Sequence, residues 1–360
     1  MDVLWRSQGL FSRGTICYRV QDSSGVEFAL KDCWVAEDKR YHEATVLRMV
    51  EGIPNVVKLI ADWDVLYDGE PDCTYRIRAS HGVCTSGFIR RFHRRSLLSP
   101  CGEPLLSYSS KPELLRSFCD FVKAHDLMVK RRVLHGDLSP NNFIIHDGQG
   151  YYIDFDHAGI ILDGSECIRS HGTGTKPYMS IRLLQEDVEN HNKDITSKHT
   201  ASDDLESMFY IFVEFATTFD GPRGATRDAN RRPMWVDSYE TLGSACWVTK
   251  QGYVLSPPID VSLMRKTTSF FASFGPIIQE WRHLILAAAS TKSNTNDSIV
   301  EVTHEALVAL LEKWIAKLPP DVPEEIAMPI ASSSRLTHPP PDILSSTAPR
   351  RSMRLHQKSG

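Results

Sequence analysis

The chain has 360 residues, with 41 basic and 45 acidic side chains and a net charge of -4, so its composition demands neither a nucleic acid nor a membrane surface as partner. No apolar run approaches the roughly 18 residues needed to span a bilayer; Leu284–Ala289 is far too short. The N-terminus, Met1-Asp2-Val3-Leu4-Trp5-Arg6, lacks a basic region followed by an apolar core, and the eight cysteines contain no CxxC pair, which together point to a cytoplasmic or nuclear setting with reduced thiols. A zinc site built from Cys73, His81, Cys84 and Cys101 matches no ligand spacing and is not expected.

In chain order, the first hundred residues alternate β-like runs with turns. Thr15–Val20, the turn Asp22-Ser23-Ser24-Gly25 and Glu27–Lys31 predict strand, turn and strand. Residues 37 to 51 predict a helix, and Val56 to Trp63 a further strand. Residues 64 to 96 are hard to thread and have room for an insertion. They end in a basic, aromatic stretch of Phe88, Arg90, Arg91, Phe92, Arg94 and Arg95, which is expected to be mainly a solvated strand and not a binding patch. From residue 110 the period changes. Ser110-Lys111-Pro112-Glu113 predicts a capping box that opens a helix with an apolar face of Leu114, Leu115, Phe118, Phe121, Val122 and Leu127. Asp203 and Glu206 are spaced as another box, before a helix that buries Leu205, Met208, Phe209, Phe212 and Phe215. Helical patterns return near Phe270–Ala289 and Val302–Leu318, the latter stopped by Pro319-Pro320. After that, proline, serine and late arginines without periodicity predict a disordered basic tail.

Chemistry concentrates between these helical patterns. His135-Gly136-Asp137-Leu138-Ser139-Pro140-Asn141-Asn142 places an aspartate five positions before an asparagine, and Tyr151-Tyr152-Ile153 leads into Asp154. Phosphoryl transfer needs little more: a carboxylate, Asp137, to orient a hydroxyl, and oxygen ligands, Asn142 and Asp154, to hold Mg²⁺ against phosphates. Phe143–Ile145, the turn Asp147–Gly150 and Tyr151–Ile153 predict a hairpin that brings Asn142 and Asp154 to the same end of adjacent strands. His135 is expected to be a structural, hydrogen-bonded histidine.

This loop, with its second aspartate, resembles the protein-kinase superfamily, and more narrowly the fungal-type protein kinase family. The narrower resemblance rests on Leu30-Lys31-Asp32-Cys33-Trp34, Pro100-Cys101-Gly102-Glu103-Pro104-Leu105, the catalytic loop, Ile153–Ala158, Gly174-Thr175 through Ser180, and Asp203–Ser207, in that order over about residues 9 to 290. It implies an α+β, bilobal protein-kinase-like fold. A domain over residues 1–320 would comprise an N-lobe of about 1–100 and a C-lobe of about 101–320, and residues 321–360 would form the tail. It further implies ATP and Mg²⁺ as cofactors, a protein substrate, no specific nucleic acid and no membrane; the oligomeric state stays open. Lys31 would contact the α- and β-phosphates, with Glu43 as its ion-pair partner in preference to Glu37 or Glu51. Gly14 would lie under the phosphates, while backbone near Leu98 and Pro100 would meet adenine. Asp204 would hold the catalytic loop, and Gly174-Thr175 would close the substrate-docking segment.

Five positions depart from the pattern of the resemblance. Ser12-Arg13-Gly14-Thr15-Ile16-Cys17 keeps a single glycine, and Gly9 is too far upstream to repair the loop. Gly136 replaces an arginine that reads a phosphorylated activation loop, so control through Thr173 or Thr175 by that route is not expected. Ser139 replaces a lysine to the γ-phosphate, which predicts slower chemistry. Asp156 replaces a glycine, stiffening the segment and offering a further carboxylate. Arg182 replaces a glutamate, so its ion pair is either reversed or lost. The best reading is an ATP- and Mg²⁺-dependent serine/threonine protein kinase. A pseudokinase scaffold and an aminoglycoside- or choline-type phosphotransferase are the alternatives, the latter because His135-Gly136-Asp137 is also that group's opening.

Overall fold

The N-terminal region is a five-stranded antiparallel sheet in the order β1-β2-β3-β7-β4. It is formed by β1 (Asp2–Arg6), β2 (Ile16–Gln21), β3 (Glu27–Ala36), β4 (Lys58–Asp64) and β7 (Arg91–Ser99). The computed structural model describes residues 1–7, 13–84, 86–162, 164, 166–169, 174–189, 197–226, 234–255, 266–291 and 301–318. Gly9, Ser12, Thr173, Pro319-Pro320 and the expected tail 321–360 lie outside these residues.

Strand parity explains much of the sheet. Lys31, Cys33 and Val35, two apart in β3, are all buried on one face, because successive side chains of a strand alternate sides. The turn before β3 follows its chemistry: Asp22 Oδ1 accepts from Ser24 N (2.8 Å) and Val26 N (3.0 Å), and Gly25 takes φ 87°. The helix expected over 37–51 is broken in two. A 3₁₀ turn at Glu37–Lys39 is followed by α1 (His42–Met49). At the start of the turn Glu37 N donates to Arg90 O (3.1 Å) at the entrance of β7, a partner outside the helix for an amide that has none within it. Between β4 and β7 the chain forms the short pair β5 (Leu66–Tyr67) and β6 (Glu70–Pro71), then α2 (Thr74–Ser80). The arginines that follow are largely neutralised by acids of the same region. Arg94, 4% exposed, meets Asp64 (2.9 Å) and Asp62, Arg95 meets Asp32 (2.8 Å), and Arg90 meets Glu37 (3.1 Å).

The helical region is organised by α3 (Lys111–Lys130) and α5 (Ala201–Thr218). Ser110 Oγ accepts from Glu113 N (3.2 Å), and the returning Glu113 carboxylate reaches Ser109 N and Oγ (2.7 Å). Leu114, Leu115, Phe118, Phe121 and Val122 are buried as expected. Leu127 is 39% exposed and Met128 takes its place in the core. The capping box of α5 lies one turn earlier than predicted: Thr200 is the N-cap and Asp203 the reciprocal acid, with Thr200 N to Asp203 Oδ2 at 2.9 Å. Glu206 is thereby released to accept from Ile181 N (2.8 Å) and Tyr210 Oη (2.7 Å). Leu205, Met208, Phe209, Phe212 and Phe215 are all buried. Phe212 faces Phe118 edge-on (5.1 Å) and Trp281 of the last-but-one helix (5.3 Å), each buried ring contributing about 1.5–3 kcal/mol.

Short pairs position the loops between these helices. β8 (Glu103–Pro104) adds to a hairpin of β10 (Phe143–His146) and β11 (Gln149–Tyr152). A second pair joins β9 (Val133–Leu134) to β12 (Gly159–Ile160), and a third joins β13 (Glu166–Arg169) to β14 (Ser197–Thr200). The described residues also form α4 (Ile181–Glu189), α6 (Met234–Leu242), α7 (Trp247–Leu255), α8 (Gly275–Thr291) and α9 (His304–Ile315). Among the described residues, no helix is long and apolar enough to cross a membrane.

Candidate active site

The loop between β9 and β10 carries Asp137 and Asn142, and it hangs from one buried carboxylate. Asp204, in the first turn of α5, accepts from His135 N (3.1 Å) and Gly136 N (3.3 Å) through Oδ2. The same oxygen meets His125 Nε2 of α3 (2.9 Å), and Oδ1 meets His199 Nε2 of β14 (2.8 Å). A carboxylate only accepts, so both imidazoles donate from Nε2. His125 Nδ1 in turn lies 2.8 Å from His304 Nε2, which joins the start of α9 to the same network. Burial works to raise the Asp204 pKa, yet His199 and His125 outweigh it and hold the group well below the usual carboxylate range. The sequence offered no local signal for these histidines.

Gly136 sits at φ 74°, and a Cβ there would lie 3.1 Å from His157 O and 3.9 Å from the His199 ring. His135 is structural: Nε2 donates to Ile153 O (3.0 Å), and the ring packs beside Phe155 (4.9 Å). Asp137 Oδ1 accepts from Thr175 Oγ1 at 2.7 Å, tying the loop to the segment that follows Gly174. Asn142 donates its amide nitrogen to Asp137 O, a bond that leaves out Oδ1, the atom a metal ion would use. The hairpin register pairs Phe143 with Tyr152, and Ile153 N donates to Asn142 O (3.0 Å), so Asn142 and Asp154 do lie at one end of the two strands. Ser139 is a neutral, buried hydroxyl at 3% exposure.

Facing this end is a cluster of charge. Lys31 Nζ donates to Glu43 Oε1 (2.7 Å) and Oε2 (2.9 Å), to Asp154 Oδ1 (2.8 Å) and to Asp156 Oδ2 (2.7 Å). Glu43 is therefore the partner of Lys31, while Glu37 is engaged by Arg90. Its helix is docked by the preceding residue, His42, whose Nε2 donates to Ala158 O (2.8 Å). Burial alone would lower the Lys31 pKa, but Asp154, Asp156 and Glu43 raise it well above its ordinary value and keep the ammonium charged. Burial and the nearby Asp156 push Glu43 up to about 7 against the pull of Lys31. Burial also opposes ionisation of Asp154, but Lys31 and Arg13 lower its pKa far below the usual range. Asp154 holds φ 61°, a conformation that costs a non-glycine residue energy and turns its carboxylate toward these cations. Arg13, which sequence reasoning did not single out, bonds Asp156 and reaches Asp154 at 3.9 Å.

The oxygens of Glu43, Asp154 and Asp156 lie within 4.8 Å of one another, and this is the one His/Cys/Asp/Glu group of metal-binding geometry among the described residues. Such hard oxygen donors suit Mg²⁺. Cys73, His81, Cys84 and Cys101 form no such group.

The other expected contacts lie around this centre. Gly14 takes φ 59° next to Arg13, its open side facing Trp34. Leu98 lies inside β7, in register with Ala29 and Leu59, and its side chain is buried; Pro100 lies just beyond the strand. At Gly102 a Cβ would come 2.6 Å from Ile145 O, so only glycine lets this segment pass over β10. On the far side of Asp137, Arg182 meets Asp203 through Nε (3.3 Å) and Nη2, and Glu186 at 2.6 Å. The ion pair is thus reversed, with the acid on α5. Lys250 of α7 supports the same segment, donating to Met179 O (2.5 Å) over the Tyr210 ring (3.6 Å).

No curated protein matches the chain closely. The family model for fungal protein kinases matches residues 1–215, from β1 through most of α5, a stretch that contains the entire charge cluster, the catalytic loop and Asp204. With more than half of its length matched, and with the lysine, the loop and the second aspartate assembled in space as that resemblance implies, the chain belongs to the fungal protein kinase family.

Proposed function

We propose that the protein is an ATP- and Mg²⁺-dependent serine/threonine protein kinase. Its N-terminal sheet with α1 would be one lobe and the helical region to about residue 320 the other. The observation that carries this reading is the Lys31 ammonium, held by Glu43 on α1 and reaching Asp154 beside the catalytic loop. Positioning and electrostatics supply nearly all phosphoryl-transfer catalysis, and these groups are arranged for both. In the proposed reaction Asp137 orients the substrate hydroxyl and takes its proton, and Lys31 binds the α- and β-phosphates. Gly14 brings backbone close to the phosphates, and the chain at Leu98 and Pro100 borders adenine. Mg²⁺, held by Asn142 and Asp154 with Asp156 in reach, would neutralise charge on the transferring group. The Thr175 hydroxyl on Asp137 supports a hydroxyl-bearing protein acceptor, since the substrate-docking segment already presents a hydroxyl to that carboxylate. The eight thiols, none of them in a disulfide, fit the cytoplasm or nucleus.

One observation favours the scaffold alternative: Lys31 and Arg13 already occupy the acids that a metal ion would use. Nucleotide binding separates the two. Mg²⁺-ATP is expected to raise the melting temperature of the wild-type protein, and Asp154→Ala to abolish the shift. Absence of any shift at millimolar nucleotide would leave the scaffold reading in place.

A further inference from the structure

Two charges in this site occur together, one of them a departure from the pattern of the resemblance and the other in the stretch that keeps a single glycine. Asp156 stands where a glycine is expected, and Arg13 stands beside Gly14 in the stretch leading into β2. Asp156 is 6% exposed and accepts from both Lys31 (2.7 Å) and Arg13. The guanidinium also faces Asp154 at 3.9 Å. Its backbone is pinned, because Trp34 N donates to Arg13 O at 2.8 Å, so the side chain is delivered to the acids from a fixed point on the sheet. Meanwhile Ser139, where a lysine to the γ-phosphate is expected, is neutral and buried.

Resting on the kinase reading above, we propose that Arg13 is the γ-phosphate-binding residue of this protein, and that Asp156 holds it among the metal-binding acids until Mg²⁺-nucleotide enters. A divalent cation taken up by Asp154 and Asp156 competes directly with the guanidinium for the same oxygens. Displaced from them but anchored at its backbone, Arg13 remains beside the phosphates that the ion brings in. A planar guanidinium suits that task, since it can donate two parallel hydrogen bonds to one phosphate. The extra acid and the extra base therefore form one device, which places a mobile cation where the usual fixed lysine is missing.

The test compares Mg²⁺-ATP with Mg²⁺-ADP by titration calorimetry on the full chain, for wild type, Arg13→Ala and Arg13→Lys, with melting temperatures as a check on folding. Wild type is expected to bind ATP roughly 10- to 100-fold more tightly than ADP, the range of a charge-assisted hydrogen bond to the terminal phosphate. Arg13→Ala should lose that preference without losing ADP affinity, which removal of the competing guanidinium raises if it changes it at all, and Arg13→Lys should restore part of the preference. Retention of the ATP preference in Arg13→Ala, or an equal loss for both nucleotides, would overturn the proposal. So would a wild type that binds the two equally, and that result would leave the kinase reading standing. A wild type that binds neither nucleotide would overturn both.

Discussion

Asp154 and Asp204 both border the loop of Asp137 and Asn142, both held below the usual carboxylate range, but by different means. Asp204, 1% exposed, is held by backbone amides of His135 and Gly136 and by the imidazoles of His125 and His199. Asp154, with a side chain 32% exposed, is held by the ends of two long cationic side chains, Lys31 and Arg13, that arrive from the sheet. The first set of partners is part of the fold and has nowhere else to go. In the proposed reaction the second would be exchanged for a metal ion and a phosphate. A buried acid held by amides and rings fixes a loop, whereas one held by flexible cations forms a site.

This contrast can be broken most severely at Asp204. Asp204→Ala leaves two backbone amides and two histidines without their acceptor, and should cost about 3–5 kcal/mol in urea unfolding, with or without nucleotide. A smaller loss would mean that the loop does not depend on this carboxylate. Asp154→Ala should behave oppositely. Its removal leaves Lys31 with Glu43 and Asp156, so the nucleotide-free protein should lose no more than about 1 kcal/mol. A loss as large as that of Asp204→Ala would erase the distinction.

The smallest expected effect is one of pH. Glu43 has a native pKa of about 7, above its ordinary 4.5. Between those values the native protein keeps a proton that the unfolded chain has released, so this group makes stability fall as pH rises across that window. Asp154 acts in the other sense: its folded pKa is depressed, and its contribution is present above about 3.8 and lost as pH falls. Denaturation curves of the nucleotide-free protein between pH 4.5 and 7 should therefore be less steeply pH-dependent in Glu43→Gln. An unchanged slope would mean that Glu43 is ionised throughout.

The two sides also differ in how far the sequence exposed them. Lys31 and Glu43 could be paired only through the family pattern, which favoured Glu43 over Glu37 and Glu51, whereas the hairpin joining Asn142 to Asp154 follows from turn chemistry. Asp204 could be assigned to the loop only through the family pattern. Its partners could not be assigned, because His125 is 79 residues away and no local periodicity marks a buried imidazole. Arg13 was hidden for a similar reason, since Asp156, its main partner, is 143 residues away. Two helix starts show the same limit. At Asp203 the sequence pointed to a box with Glu206, whereas the structure pairs Thr200 with Asp203 and leaves Glu206 to Ile181. At Arg40 a helix that local preference would have continued is interrupted.

The central claim, that Asp137 directs phosphate to a protein hydroxyl, is tested most directly by transfer of labelled γ-phosphate from ATP to protein acceptors, with wild type beside Asp137→Ala. The account predicts label on serine or threonine in the wild type and a loss of roughly 100- to 10,000-fold in the variant, with Mg²⁺-ATP binding intact. Undiminished transfer in the variant, or label found only on amino sugars or choline, would contradict it.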